Sequence, residues 1–492
     1  MSFVHRKIHL LLYLYIIAVL LLITSLVVLS YFTGYFNIHT DESLYFNFGR
    51  IVYEANSLKA PYILGEQASS IGGFGWYGPI YNLIYGSIFK LFGVNQVFII
   101  IFHYILLLLC LVVINRLPLN KLKRLIFTCI LLSTYIICPF VLTCYPEILH
   151  VLLSLILLVV FTKLNDSKKS FYFFLFLILL FSLMRVTFVF WIFSILFIGK
   201  SSISYILRFS ICVAFVFLIL VYMKLFQAPS YVIGLSEIHE TKANLTNILS
   251  SIKNLVNNFK TNLYQLFNQT HSSIATFLLL LFIAALNVFQ IKNNRFKSKE
   301  FGLLLIVVMT YITLLFLYNT KAYFMEKQSG FLIPMMIFII ISSKKNILLV
   351  LFISFTVFLP HSMMKSVNNF HERKNAAAKI VQYQEFKEDL SHLFDDVPQH
   401  KQDIYTILYP PDFAMEENYL SCFLPLNQNG IPIIYTVNPK YHKNITIQTK
   451  FHTFKKHKID YILCTYPLDI PNIVLTKKTK YYYLYQYPDI AL

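Results

Sequence analysis

The chain has 492 residues, of which 57% are hydrophobic and only 13% charged. That leaves too little polar surface for a soluble globule, and apolar runs of roughly 18–25 residues recur, long enough to cross a ~30 Å hydrocarbon core. Lys and Arg number 42 against 23 Asp and Glu, a net charge of +19, but the excess gathers in short loops on one side, which is positive-inside topology and not a nucleic-acid surface.

The expected fold is therefore a polytopic α-helical membrane protein. The short alternating segments of a β-barrel are absent. His5, Arg6 and Lys7 precede an apolar run to Phe32 with no small-x-small site, which reads as a retained signal anchor. About eleven spans are placed, with cores near 8–32, 95–115, 124–143, 147–163, 171–184, 186–199, 204–226, 274–291, 301–318, 329–342 and 346–363. Alternate loops carry Arg116, Lys121, Lys123 and Arg124; Lys163, Lys168 and Lys169; Lys200 and Arg208; Lys292, Arg295, Lys297 and Lys299; and Lys344 and Lys345. This sets the N-terminus in the cytoplasm, and an odd span count sets the C-terminus outside. The two segments flanking Arg185 are short enough for a shallow hairpin with Arg185 at an outward tip.

The first outer loop, 33–95, is expected to be structured. Thr40 caps a helix, Asp41 and Glu42 occupy its first turn, and Leu44, Tyr45, Phe48, Ile51 and Val52 form its apolar face. A second helix follows Pro79. Its polar stripe of Asn82, Gly86 and Lys90, surrounded by apolar residues, suits a helix lying in the membrane interface. The next long loop, roughly 227–273, reads as polar. Beyond Met364 the composition turns polar. Strand-like runs at Ile404–Leu408, Ile431–Val437, Tyr461–Cys464, Ile473–Leu475 and Tyr481–Tyr487, with a helical stretch near Ala376–Leu393, give a small outward-facing C-terminal α/β domain, 364–492, behind a membrane domain, 1–363.

Ionisable residues collect at the outer ends of spans: Asp41, Glu42, Glu147, His150, Arg185, Lys321, Glu326, Lys327 and His361. A carboxylate pair in a helix first turn stays ionised and can take a proton from a hydroxyl, or can simply cap the helix. Glu147 has the same two readings, and His150 reads as a polar interface residue. Arg185, Lys321 and Lys327 can hold a phosphate or snorkel, with Arg185 the better phosphate candidate. Seven cysteines give no metal spacing. Those in spans behave as apolar residues, and Cys422 and Cys464 pair only in an oxidising compartment. The Gly72-Gly73-Phe74-Gly75 run lacks the strand and GK[ST] of a nucleotide loop.

Taken together, Asp41-Glu42, Tyr77-Gly78-Pro79-Ile80-Tyr81 running to Lys90-Leu91-Phe92-Gly93, Tyr145-Pro146-Glu147 and Phe331-Leu332-Ile333-Pro334 resemble the GT-C glycosyltransferases. The branch is that of protein O-mannosyltransferases and aminoarabinose (lipid A) transferases, and the resemblance covers about residues 1–365. Tyr77-Gly78-Pro79 stands where that family often has His-Pro-Pro, and Gly330-Phe331 where it has Arg-Tyr. The resemblance implies inverting transfer of a sugar from a polyprenyl-phosphate donor to a lipid, glycan or protein hydroxyl, in a bacterial inner membrane. Asp41 and Glu42 are then catalytic, with Asp41 the base, and Tyr77, Tyr81, Glu147, Arg185, Lys321 and Lys327 bind substrate. A phosphomonoester leaving group does not require a divalent metal, and metal dependence stays open. The alternatives are a glycan polymerase or ligase, for which outer-loop arginines are few, and a lipid-linked-glycan transporter, disfavoured by uncharged span interiors. Membrane lipids are partners, and nucleic acid is not.

Overall fold

A computed structural model describes residues 3–32, 40–58, 79–164, 168–198, 204–226, 245–268, 272–290, 294–317, 329–343, 347–364 and 366–368, and, nearer the C-terminus, 388–389, 392, 405–408, 435–437, 461–464, 467, 474–480 and 482–486.

The first helix, α1 (Phe3–Phe32), shows why this is a membrane protein. Leu12, Val19, Ile23 and Val27 are buried, while Leu10, Leu11, Leu14, Ile17 and Leu21 are exposed. An exposed row of leucines on a helix needs lipid as its solvent. The buried side is pinned at two depths: the Tyr15 hydroxyl lies 2.5 Å from Ser133 Oγ, and Thr24 Oγ1 lies 2.6 Å from the Tyr104 hydroxyl. Among the described residues four helices are long and apolar enough to cross a membrane: Arg6–Phe32, Gln96–Ile114, Tyr205–Tyr222 and Lys299–Phe316. Val186–Phe197, Phe277–Val288 and Gly330–Ser342 are shorter apolar helices.

The two helices of the 33–95 segment are α2 (Thr40–Ala55) and α3 (Ile80–Phe92), which pack on each other. Two glycines bring them close. A Cβ on Gly86 would lie 2.3 Å from Val52 Cβ, and one on Gly49 would lie 2.7 Å from the Phe89 ring. Part of the polar stripe of α3 thus meets protein. Asn82 is fully buried and donates to Leu58 O at 2.8 Å, and Lys90 reaches Asn56 Oδ1 at 2.6 Å. The small and polar stripe therefore faces the preceding helix and its exit, because only a residue as small as glycine lets the two backbones approach. Thr40 is the first helical residue and does not stand ahead of the helix.

α4 (Gln96–Ile114) starts at Asn95, whose side chain accepts from Val97 N at 2.9 Å. α5 (Lys121–Ser133) starts the same way at Asn120. The expected span 124–143 is not one helix. The chain leaves α5 at Thr134 in extended geometry, forms only the short α6 (Cys138–Val141) around Pro139, and turns again before Pro146. Residues 126–150 are all buried, which is where irregular backbone is tolerated in a membrane protein.

α7 (Glu147–Lys163) and α8 (Lys168–Met184) follow. Val186–Phe197 is a 3₁₀ helix packed back on α8, so the hairpin around Arg185 forms, with a tighter second arm. α9 (Tyr205–Phe226) exposes Ile206, Phe217 and Leu220. The expected polar loop 227–273 holds instead a 24-residue helix, α10 (Leu245–Asn268). Then come α11 (Ser272–Gln290), α12 (Asn294–Leu317), a 3₁₀ turn at Gly330–Leu332, α13 (Ile333–Ser343) and α14 (Ile347–Ile353), which runs into a π turn at Ser354–Phe358.

The five expected strands are present as β1 (Tyr405–Leu408), β2 (Tyr435–Val437), β3 (Tyr461–Cys464), β4 (Val474–Lys478) and β5 (Tyr483–Gln486), in sheet order β2-β1-β3-β5-β4. β1 is parallel to β2 and β3, whereas β5 is antiparallel to β3 and β4. Of the expected helix near Ala376–Leu393, only Glu388, Asp389 and His392 are described, and all are helical. Asp389 accepts from Thr479 Oγ1 at 2.5 Å and from Lys480 N at 3.1 Å, which ties that stretch to the end of β4.

Candidate functional site

Tyr145-Pro146-Glu147 opens α7. Proline suits the entry to a helix because its missing N–H is not needed there, and Glu147 follows as the first helical residue. One turn later comes His150, whose Nδ1 is 2.7 Å from Glu147 Oε2. The same carboxylate oxygen accepts from Arg185 Nη1 at 2.8 Å, and Arg185 also touches His150 Nδ1. All three are buried. Arg185 is therefore not an exposed hairpin tip. The break between α8 and the 3₁₀ arm leaves its backbone extended and directs the side chain inward, with its guanidinium 5.3 Å from the Phe331 ring centroid. An ion pair in such a setting is held because an unmatched buried charge costs far more.

His150 extends the cluster to α3. Its Nε2 is 2.5 Å from the Tyr81 hydroxyl on α3. The Glu147 carboxylate only accepts, so Nδ1–H donates to it and Nε2 accepts from the Tyr81 hydroxyl. The imidazole links Tyr81 to the ion pair. His150 is thus a buried linker, where the sequence reading placed it at an interface.

The acidic pair lies one layer away. Glu42 is fully buried, and its Oε2 accepts from Cys144 N at 2.9 Å and from Gln96 Nε2 at 3.4 Å. It fixes the turn that leads into Tyr145-Pro146-Glu147. Asp41 lies in the first turn of α2, and its side chain falls outside the described residues, as do Tyr77, Lys321, Glu326 and Lys327. Tyr45, one turn past Glu42, makes edge contacts with the rings of Tyr81, Tyr85 and Tyr145. These aromatics join the acidic helix to the ion pair.

A second polar knot adjoins the first. Thr143 O lies 2.8 Å from His103 Nδ1, and a carbonyl only accepts, so that nitrogen carries a proton. The Tyr85 hydroxyl stands 3.2 Å from both His103 Nε2 and Cys144 O. Burial, with lesser contributions from Cys144, Tyr81, Glu147 and Glu42, holds the Tyr85 phenol well above its ordinary range, so it remains a neutral donor.

The structure thus brings together Tyr81, Glu147 and Arg185 of the expected binding residues, and sets Glu42 beside them. His103, Tyr85 and Gln96 were not among the expected site residues, and His150 was expected only as a polar interface residue. Two signals in the sequence point to them: the i,i+3 spacing of Glu147 and His150, and an ionisable residue, His103, within an otherwise apolar span. Gly330, where the resemblance has arginine, is filled against Ile136, since a Cβ there would lie 2.2 Å from Ile136 Cδ1. Cys110, Cys129, Cys138, Cys144 and Cys212 are buried free thiols, and Cys422 lies outside the described residues. Among the described residues no three His, Cys, Asp or Glu side chains are grouped to hold a metal ion.

No protein-family model and no curated protein matches the sequence. Solved structures do. The oligosaccharyltransferase of Archaeoglobus fulgidus, crystallised with Zn and sulfate, is 10% identical with a TM-score of 0.47, over 92% of this chain and 68% of that one. ArnT from Cupriavidus metallidurans in the apo state is 8% identical with a TM-score of 0.48, over 95% of this chain and 97% of that one. ArnT bound to undecaprenyl phosphate is 7% identical with a TM-score of 0.45, over 96% and 98%.

Proposed function

We propose that this chain is a multi-pass membrane glycosyltransferase that moves a sugar from a polyprenyl-phosphate donor to a hydroxyl acceptor on the outer face, with inversion. The observation that carries the reading is the buried Tyr81–His150–Glu147–Arg185 cluster. It joins α3, which packs on the helix bearing the acidic pair, to the ends of three apolar segments. Fixed charge at span ends, beside a first-turn carboxylate, suits chemistry on a lipid-borne headgroup better than ion passage through the midplane.

In this reading the acceptor oxygen attacks the anomeric carbon as the bond from that carbon to the phosphate oxygen breaks. Asp41 takes the acceptor's proton, and the polyprenyl phosphate leaves with the bonding pair. Glu42 positions the turn before α7 and does not touch the reacting atoms. Glu147 orients Arg185, whose guanidinium, with Lys321 and Lys327, supplies positive charge toward the leaving phosphate. The setting is a bacterial inner membrane, with the N-terminus cytoplasmic and the 364–492 domain outside.

The test is transfer from a panel of polyprenyl-phosphate sugars by the purified protein in lipid. Asp41→Asn should lower turnover by about 10²–10⁴ with donor binding retained. No transfer from any donor overturns the reading, and near-normal turnover in Asp41→Asn removes the base assignment.

A further inference from the structure

α10 (Leu245–Asn268) has neither aspartate nor glutamate and carries two lysines, Lys253 and Lys260. One flank is accounted for. Asn258 and Asn262, spaced four apart and buried, donate to the last carbonyls of α12: Asn258 Nδ2 to Phe316 O at 3.3 Å and Asn262 Nδ2 to Leu315 O at 2.8 Å. Phe259 stacks on Phe316 with ring centroids 4.4 Å apart. A terminal turn of a membrane-crossing helix presents carbonyls without intrahelical partners, so these asparagines fix α10 at the membrane boundary.

The next face round is not covered. Ile252, Val256 and Leu263 are 51%, 40% and 37% exposed, and their spacing of four and seven puts them in one row. Lys253 and Lys260, both exposed, form a parallel row about a quarter-turn further on. The order round the helix is thus protein-bound asparagines, an open apolar row, then cations.

We propose that α10 is a membrane-surface helix whose open face binds anionic phospholipid. The apolar row enters the acyl boundary and the two lysines meet headgroup phosphates. Three observations favour lipid over a protein partner. The docked end of α12 sets the helix at the boundary, the apolar row is flanked by cations, and acids are absent.

The test is hydrogen exchange on the full chain in nanodiscs of phosphatidylcholine with and without phosphatidylglycerol. Amides of 245–268 should exchange about ten- to thirty-fold more slowly with the anionic lipid at low salt, and 0.5 M salt should erase the difference. K253Q/K260Q should exchange at the faster rate in both discs, with α12 unchanged as the check on folding. Equal exchange of the parent chain in both discs overturns the proposal. So does protection that rises with the number of chains per disc, which would make a second copy the occupant.

Discussion

The Tyr81 hydroxyl on α3 and His150 Nε2 on α7 lie 2.5 Å apart, across 69 residues of sequence. Tyr81→Phe keeps the ring and its contact with Tyr45 but leaves His150 one partner short. The buried nitrogen then costs about 1–3 kcal/mol, and thermal unfolding in detergent should show it. If the imidazole couples α3 to the ion pair, turnover should fall further than in a neighbouring apolar variant of equal stability.

Breaking the Glu147–Arg185 pair on one side should cost about 3–5 kcal/mol, because it strands a buried charge. Glu147→Gln and Arg185→Met should each be severely destabilised, and the double variant much less so than their sum. A double-mutant cycle measured by denaturant unfolding checks this, and strict additivity would mean the pair does not couple.

Much of the 33–95 segment was legible in the sequence. Pro79 and the apolar periodicity gave α3 its start, but polarity at Asn82, Gly86 and Lys90 was read as contact with water. A single sequence cannot separate a polar stripe that meets solvent from one that meets another helix. α10 was missed because its many Asn and Ser residues mask apolar positions recurring three and four apart from Ile252 to Leu263. The strands were readable from dense β-branched and aromatic runs between turn residues. The 3₁₀ geometry after Arg185 was not, since its composition equals that of an α-helix. His150, one turn past Glu147, was read as a polar interface residue because its other partner, Tyr81, lies far away in sequence.

Gly86→Val should force α2 away from α3, since there is no room for even a Cβ beside Val52. Overpacking of this kind costs about 1–3 kcal/mol. The displacement carries Asp41 and Glu42 with it, so turnover should fall while donor affinity changes little. A matched loss in donor affinity would argue that the helix pair serves binding instead.

Tyr85 gives a pH dependence. Its phenol is held protonated in the fold above its ordinary value of 10.0. Above about pH 10 the unfolded chain releases that proton and the folded chain does not, so stability is intact below this value and falls as pH rises past it. Tyr85→Phe should flatten the alkaline side of the stability curve. An unchanged slope would trace alkaline loss to other groups.

The sheet order has a consequence for biogenesis. Among the described strands, β1 is made first but sits between β2 and β3, and β3 in turn needs β5, the last of them. Parallel neighbours cannot be joined by tight turns, so β1 and β2 remain without their central partner until Tyr461 and beyond have been synthesised. The final hairpin, β4–β5, is therefore the keystone of the C-terminal sheet. A ribosome stalled before it, or a nonsense codon there, would release a membrane protein whose tail displays an unpaired strand edge, the kind of surface that quality-control proteases engage.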